Sequence, residues 1–256
     1  MIEFDIGALQ HWLHQFLWPL MRVGAFCMVA PVFGTVLVPA RARILFSVVL
    51  TMLIAPMLRN LPHPDFLSPA SVVLVAQQLL IGVGLALFLQ ILMQAFVVFG
   101  QIVAMQMGLG FASLNDPVNG VSVTAVSQFY LMLVMLLFLA TNGHLVMIDV
   151  LVESFRTLPV GADIGGARLY TLVGRASWMF AAALLMALPA LTALLIINCS
   201  LGVITRAAPQ LNIFAIGFPL MLVLGMLILW ASMASALPNF ERYSHEALEA
   251  MRAWTE

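Results

Sequence analysis

The chain has 256 residues, 63% of them hydrophobic and 8% charged, with a formal net charge of −1 at pH 7. Soluble domains carry roughly 25% charged residues, and no water-soluble globule of this length hides so much apolar side chain, so most of the surface must face lipid or other apolar protein. All basic residues are Arg, scattered along the chain with no Lys, which leaves no electrostatic footprint for nucleic acid.

Met1-Ile-Glu-Phe-Asp5 is acidic and leads into an apolar run without a small-residue cleavage pattern, so no removable secretory signal is expected. Stretches free of Asp, Glu, Lys and Arg then cover 23–40, 44–58, 66–115, 117–148, 176–205 and 207–240. All but the second, which is marginal, are read against the roughly 20 residues that cross a bilayer core. The third has room for two helices. Alternation of polar and apolar residues is absent, so the spans are helices rather than barrel strands, six or seven in all. The fold class expected is all-α, a multi-helix integral membrane protein of packed, partly broken hairpins.

Pro19, Pro31, Pro56, Pro189 and Pro219 fall within or near the ends of apolar runs, where each bends or ends a helix. Gln77, Gln78, Gly82, Gly84, Gln90, Gln94, Gly100 and Gln101 punctuate the third run; small residues allow close helix approach and buried amides want partners on a neighbouring helix. Cys27 and Cys199 lie inside apolar segments and read as small buried hydrophobes. Arginines on the loops give little orientation. If 66–115 is one span, Arg41, Arg43 and Arg206 face Arg59, Arg156, Arg168, Arg242 and Arg252; if it is two, Arg41, Arg43, Arg156, Arg168, Arg242 and Arg252 share a side, the sharper bias.

The stretch Met105-Gln-Met-Gly-Leu-Gly-Phe-Ala-Ser-Leu-Asn-Asp-Pro-Val-Asn-Gly120 interrupts this apolar sequence. Gly108 and Gly110 permit torsions closed to other residues, and Asp116-Pro117 initiates a turn. The chain is expected to leave a helix around Ser113 and re-enter one near Val123. No strand precedes Gly108-Leu-Gly110 and no Lys follows, which excludes a phosphate loop. Asp116 reads either as a turn residue or as an acid at membrane depth.

Val38-Pro39-Ala40-Arg41-Ala42-Arg43, Leu80-Ile81-Gly82, Gln106-Met107-Gly108 through Asp116-Pro117, Thr141-Asn142-Gly143-His144, Ser154-Phe155-Arg156-Thr157-Leu158-Pro159 and Arg206 through Pro209-Gln210-Leu-Asn212-Ile-Phe214 to Pro219 together resemble the FliR family of flagellar export proteins, in family order across essentially the whole chain. One departure is that the family carries an acid just before Leu79-Leu80-Ile81-Gly82, where this chain has Gln77 and Gln78. The resemblance implies a core subunit of the type III protein export gate in the bacterial inner membrane, at the flagellar basal body. It implies that residues 1–170 are similar to the P component of that gate and 171–256 to the Q component hairpin. The three components would form one helical assembly around a pore for unfolded exported proteins, wrapped by the export switch protein FlhB. On the same ground the glycine-rich loop is similar to the family's plug, with Met105, Met107, Phe111 and Leu114 filling a constriction, Gly108, Gly110 and Gly120 as hinges, and Asp116-Pro117 at the turn.

Other residues carry weaker readings. Asn142-Gly143-His144 reads as a turn or interhelix contact rather than a proton site. Arg206, Pro209, Gln210 and Asn212 form the tip of a helical hairpin or a partner contact, and Arg41 and Arg43 join them as interface or turn residues. The tail 239–252 reads as a helix with a solvated charged stripe. His11 and His14 lack a convergent carboxylate or Cys, so no metal site or cofactor is expected, and no catalytic constellation is present. Two alternatives stand beside the flagellar gate: the equivalent subunit of a virulence injectisome, and a proton-coupled secondary transporter using Asp116 and His144.

Overall fold

The structure is a computed structural model that describes residues 6–35, 38–58, 61–62, 64, 68–110, 124–207 and 213–256. These residues form eight α-helices and no strand: α1 Ile6–Val29, α2 Ala40–Ile54, α3 Pro69–Gln106, α4 Ala125–Ala140, α5 Gly143–Thr157, α6 Gly165–Ala207, α7 Ile213–Ser232 and α8 Ala236–Thr255. Short 3-10 turns extend α2 over Ala55–Met57 and join α7 to α8 over Met233–Ser235.

Local chemistry explains where the helices start and stop. At the head of α3, Ser68 Oγ accepts the Ser71 N–H at 3.3 Å and Pro69 takes the first helical position, where a missing N–H costs nothing. Between α5 and α6 the chain turns through Gly161 at φ +94° and Gly165 at φ +66°, torsions that glycine adopts without strain. Asp163 Oδ1 accepts the Gly165 N–H there.

The helices and the charge-free runs do not coincide. Among the described residues four stretches are long and apolar enough to cross a membrane, 40–57, 69–106, 165–207 and 217–255, with α4 and α5 taken as a pair making a fifth, against an expectation of six or seven. The 117–148 run divides at Asn142, whose φ of +58° ends the helical path, and most of the 23–40 run is the end of α1 and the turn after it. The third run holds one unbroken helix of 38 residues, about 57 Å long, so the two-span alternative and its Arg bias fall away. Its glycines at 82, 84 and 100 lie against neighbouring chain without interrupting it. Pro19, Pro189 and Pro219 sit inside α1, α6 and α7, Pro56 is the middle residue of the 3-10 turn after α2, and Pro31 follows the end of α1.

The chain divides into two compact units, and α3, α6 and α8 each run from one into the other. The first comprises residues 1–91, 141–175 and 246–256, the second 92–140 and 176–245. In the first unit Trp254 of α8 lies over Gly84 of α3 and donates its indole N–H to the Arg168 carbonyl at 2.8 Å; Phe88 packs tilted against the same ring, 5.8 Å between centroids. The charged face of α8 reaches Asp149 and Glu153 of α5 through Arg252, at 3.7 and 3.9 Å. All three side chains are about half exposed or more, so Arg252→Ala is expected to cost under ~1 kcal/mol in detergent melts.

The second unit is built on small residues and aromatics. The buried positions of α6 are Ala182, Ala183, Ala187, Ala190 and Leu194, a nearly methyl-only face that lets backbones approach. Phe96 of α3 packs on Phe240 and edge-on to Tyr243 of α8, and Phe99 meets Tyr130 of α4 edge-on at 4.7 Å. One sequence reading fails here. Cys27 is buried but Cys199 is exposed, because it lies on the outer side of α6 rather than on the alanine face.

Candidate functional site

The two described ends of the central glycine-rich segment lie in the second unit. Phe111, Leu114, Asp116, Pro117 and Gly120 lie outside the described residues. On the leading side, α3 ends at Gln106, ahead of Ser113 where the sequence places the break, and it ends in a Schellman motif. Leu109 N–H donates to Ala104 O and Gly108 N–H to Met105 O, both at 3.0 Å, with Gly108 at φ +85°. Glycine is needed at 108 for a second reason: a Cβ would stand 3.2 Å from the Phe218 ring of α7. Gly110 has no such constraint, since its Cβ would meet Met105 Cγ at an ordinary 3.5 Å. Gly108→Val is therefore expected to cost ~1–3 kcal/mol while Gly110→Ala stays near neutral, a contrast that paired thermal unfolding curves in detergent would display.

The two methionines beside this turn do different work. Met107 is 1% exposed and fills the space that Gly225 of α7 leaves, where a Cβ would come within 2.5 Å of Met107 Cγ. Met105 is 63% exposed. Of the pair, Met107 is a packed core residue of this chain and Met105 presents its side chain outward. Met105, Gln106, Met107 and Gly108 form one wall of a cavity of about 720 Å³ whose other walls come from α6 and α7.

On the returning side, helix α4 restarts at Ala125, close to the expected Val123. Thr124 caps it, its Oγ1 accepting the Ser127 N–H at 3.3 Å. The reciprocal half of a capping box, an amide oxygen reaching back to the cap N–H, comes from α3. Gln101 Oε1 accepts the Thr124 N–H and the Ser127 hydroxyl, each at 3.2 Å. Beneath it a Cβ on Gly100 would lie 2.7 Å from Ser127 Cα, so α3 and α4 touch backbone to backbone. Tyr130 adds a bond to Ser232 on α7 at 3.1 Å. Gln101 was legible in sequence only as one of several amides; its partner was not.

The remaining predicted positions lie elsewhere. Arg43 ties down the turn after α1 by donating to the carbonyls of Phe33, Thr35 and Val38 at 3.0, 2.9 and 3.3 Å, while Arg41 is exposed. Asn142 forms a turn, its carbonyl accepting the Leu145 and Val146 N–H groups, and buried His144 Nδ1 has no hydrogen-bond partner among the described residues. Arg206 is exposed in the last turn of α6; Pro209, Gln210 and Asn212 lie outside the described residues.

A site the sequence reading missed lies in the first unit. Arg22 is fully buried within α1. Its Nε donates to Gln78 Oε1 of α3 at 2.8 Å, Nη1 to the Ser154 carbonyl and hydroxyl at 2.8 and 3.2 Å, and Nη2 to the Leu158 carbonyl at 2.8 Å. The guanidinium also lies 4.2 Å from the centroid of the Phe155 ring. No carboxylate pairs with it among the described residues; the carbonyls at the C-terminal end of α5, the negative pole of that helix, take that place. Cutting the sequence into charge-free runs placed Arg22 at a boundary, whereas the helix carries it into the core.

Eight helices among the described residues, with four stretches able to cross a membrane and two units built on interrupted and unusually long helices, define a multi-helix membrane protein. A family model described as bacterial export proteins, family 1, matches residues 13–247. The chain is 38% identical over 252 residues to the flagellar biosynthetic protein FliR of Pectobacterium carotovorum subsp. carotovorum, covering 98% of this chain and 96% of that one. Against the FliR of Escherichia coli strain K12 the identity is 38% over 236 residues, with 92% and 90% covered, and against that of Bacillus subtilis strain 168 it is 26% over 241 residues, with 93% of both covered. The chain belongs to this export family, among its flagellar FliR members.

Proposed function

We propose that this chain is a core subunit of the flagellar type III protein export gate in the bacterial inner membrane, and that the segment from Met105 to Gly120 plugs its channel until an unfolded flagellar protein enters. Its partners in this reading are the P and Q components of the gate and the FlhB switch protein. Residues 1–170 correspond to a P-like part and 171–256 to a Q-like hairpin. The observation that carries the plug reading is the way the segment is framed. A Schellman cap at Gly108 and a Thr124 cap completed by Gln101 fix both of its ends on α3, about one helical turn apart. A plug that must seal and still be displaced needs firm anchors at its ends.

The test is affinity purification of the tagged chain from its native host in mild detergent, with partners identified by mass spectrometry. Recovery with several copies of two other small apolar membrane proteins is the expected result. Recovery alone, as a chain that moves a solute when reconstituted, would overturn the gate and favour the transporter.

A further inference from the structure

We propose that the cleft between α1 and α2 binds one acyl chain of an anionic phospholipid, whose phosphate sits on Arg43. All of its lining belongs to the first unit, and the site stands apart from the export reading.

The cleft is an apolar cavity of about 250 Å³. Leu20, Gly24 and Met28 of α1 form one wall, Ile44 and Val48 of α2 another, and Leu79 of α3 borders it. Gly24 has nothing within 4 Å of its Cβ direction, so the middle of its wall is open. Exposed Met28 and Ile44 mark the rim, through which a ligand can enter. Such a space does not suit water, which needs two to four polar partners; Ser47 on the lining already donates its hydroxyl to the Arg43 carbonyl at 2.9 Å. An apolar cavity of ~150 Å³ stays dry and takes up benzene. This one is larger. Leu20 to Met28 is eight residues, about 12 Å of helix, close to the ~15 Å hydrocarbon depth of one leaflet.

Charge decides which chain enters. The stretch 40–57 is long and apolar enough to cross a membrane, which sets Arg41 and Arg43 at one of its ends, at headgroup depth, with the cavity beside them. Arg22, Arg41, Arg43 and Arg59 are the charged residues between Asp5 and Asp65, with no acid among them. Arg22 is surrounded by carbonyls. Arg43 donates from Nε and Nη2 to the carbonyls of the turn, and its Nη1 has no partner among the described residues. Arg41, at the same helix end, is exposed, pairs with no carboxylate among the described residues, and adds to the positive potential there. A neutral occupant leaves this charge unanswered. A phosphodiester joined to an acyl chain answers it and fills the slot in one molecule.

The experiment is native mass spectrometry of the full-length chain, with the proteins that co-purify, in mild detergent containing equal amounts of phosphatidylglycerol and phosphatidylcholine. One phosphatidylglycerol per chain is expected to survive collision energies that strip phosphatidylcholine. Gly24→Leu, which fills the slot, should abolish that retention with the amount of chain in the membrane unchanged. Arg41→Gln alters an exposed side chain and should lower retention about fivefold, the ~1 kcal/mol of one arginine at a lipid surface. If Gly24→Leu fails to accumulate, the headgroup comparison and Arg41→Gln decide alone. No retained lipid, equal retention of the two headgroups, no effect of Arg41→Gln, or a phosphatidylglycerol that Gly24→Leu does not displace overturns the site. So does a lipid found on the isolated chain but absent from its complexes with other membrane proteins, since a protein then covers the cleft.

Discussion

Replacing Arg22 by alanine is expected to be the most damaging single substitution outside the central segment. The guanidinium is the common donor for Gln78 of α3 and for the Ser154 and Leu158 carbonyls that close α5. Removing it takes the donor from Gln78 Oε1 and the Leu158 carbonyl, leaves the Ser154 carbonyl with only the Leu158 N–H, and opens a void beneath Phe155, which it faces at 4.2 Å. Breaking a buried, fully hydrogen-bonded charge site of this kind costs ~3–5 kcal/mol, a large share of the stability of most proteins. The chain should therefore fail to accumulate in the membrane, or lose its monodisperse peak in detergent after mild heating. Lysine should not rescue it, because a single ammonium cannot span acceptors on two helices as the planar fork does. Gln78→Glu tests the same site from the other side. Gln78 Nε2 is buried without a partner, so a carboxylate there removes an orphan donor and gives Arg22 a charged acceptor, which strengthens a hydrogen bond roughly twofold. The Glu variant is expected to survive heating at least as well as the parent, and a lower midpoint would refute the clamp as described.

That site also shows what the sequence could and could not disclose. Composition placed the chain in a membrane, because 8% charge over 256 residues leaves no soluble alternative, and the lack of polar–apolar alternation made its spans helices. Gly108 was legible as a residue free to take torsions closed to others, and it is at φ +85°. The position of the break was not: Asp116-Pro117 drew the end of α3 toward Ser113, while the cap at Gly108 had already closed it at Gln106. Arg22 was misplaced because a run of uncharged residues is a statement about lipid, whereas this arginine is solvated by carbonyls from a helix 132 residues away in sequence. Gly225 carries no sequence signal at all. Its importance comes from Met107 across the unit, and a socket of that kind exists only once α3 and α7 are brought together.

Gly100→Val is expected to have the largest effect on the central segment itself. The contact it disturbs is with backbone: a Cβ at 100 would lie 2.7 Å from Ser127 Cα and 3.0 Å from Ser127 N, atoms that no rotamer change can move aside. The helices α3 and α4 must part, and a separation of about an ångström carries Thr124 N and Ser127 Oγ beyond hydrogen-bonding reach of Gln101, which they now meet at 3.2 Å. Overpacking of this sort costs ~1–3 kcal/mol, and the lost cap adds about 1 kcal/mol more. Amide hydrogen exchange separates the consequences. Faster exchange confined to the first turn of α4, from Val126 to Gln128, with the rest of the chain protected as before, is the outcome expected of a released anchor. If the segment plugs a channel, the same variant should let a small solute leak through cells that assemble it, and Gln101→Leu, which removes the anchor without forcing the helices apart, should leak less. Uniform loss of protection instead would mean that Gly100 serves packing of the whole unit rather than the hold on this one segment.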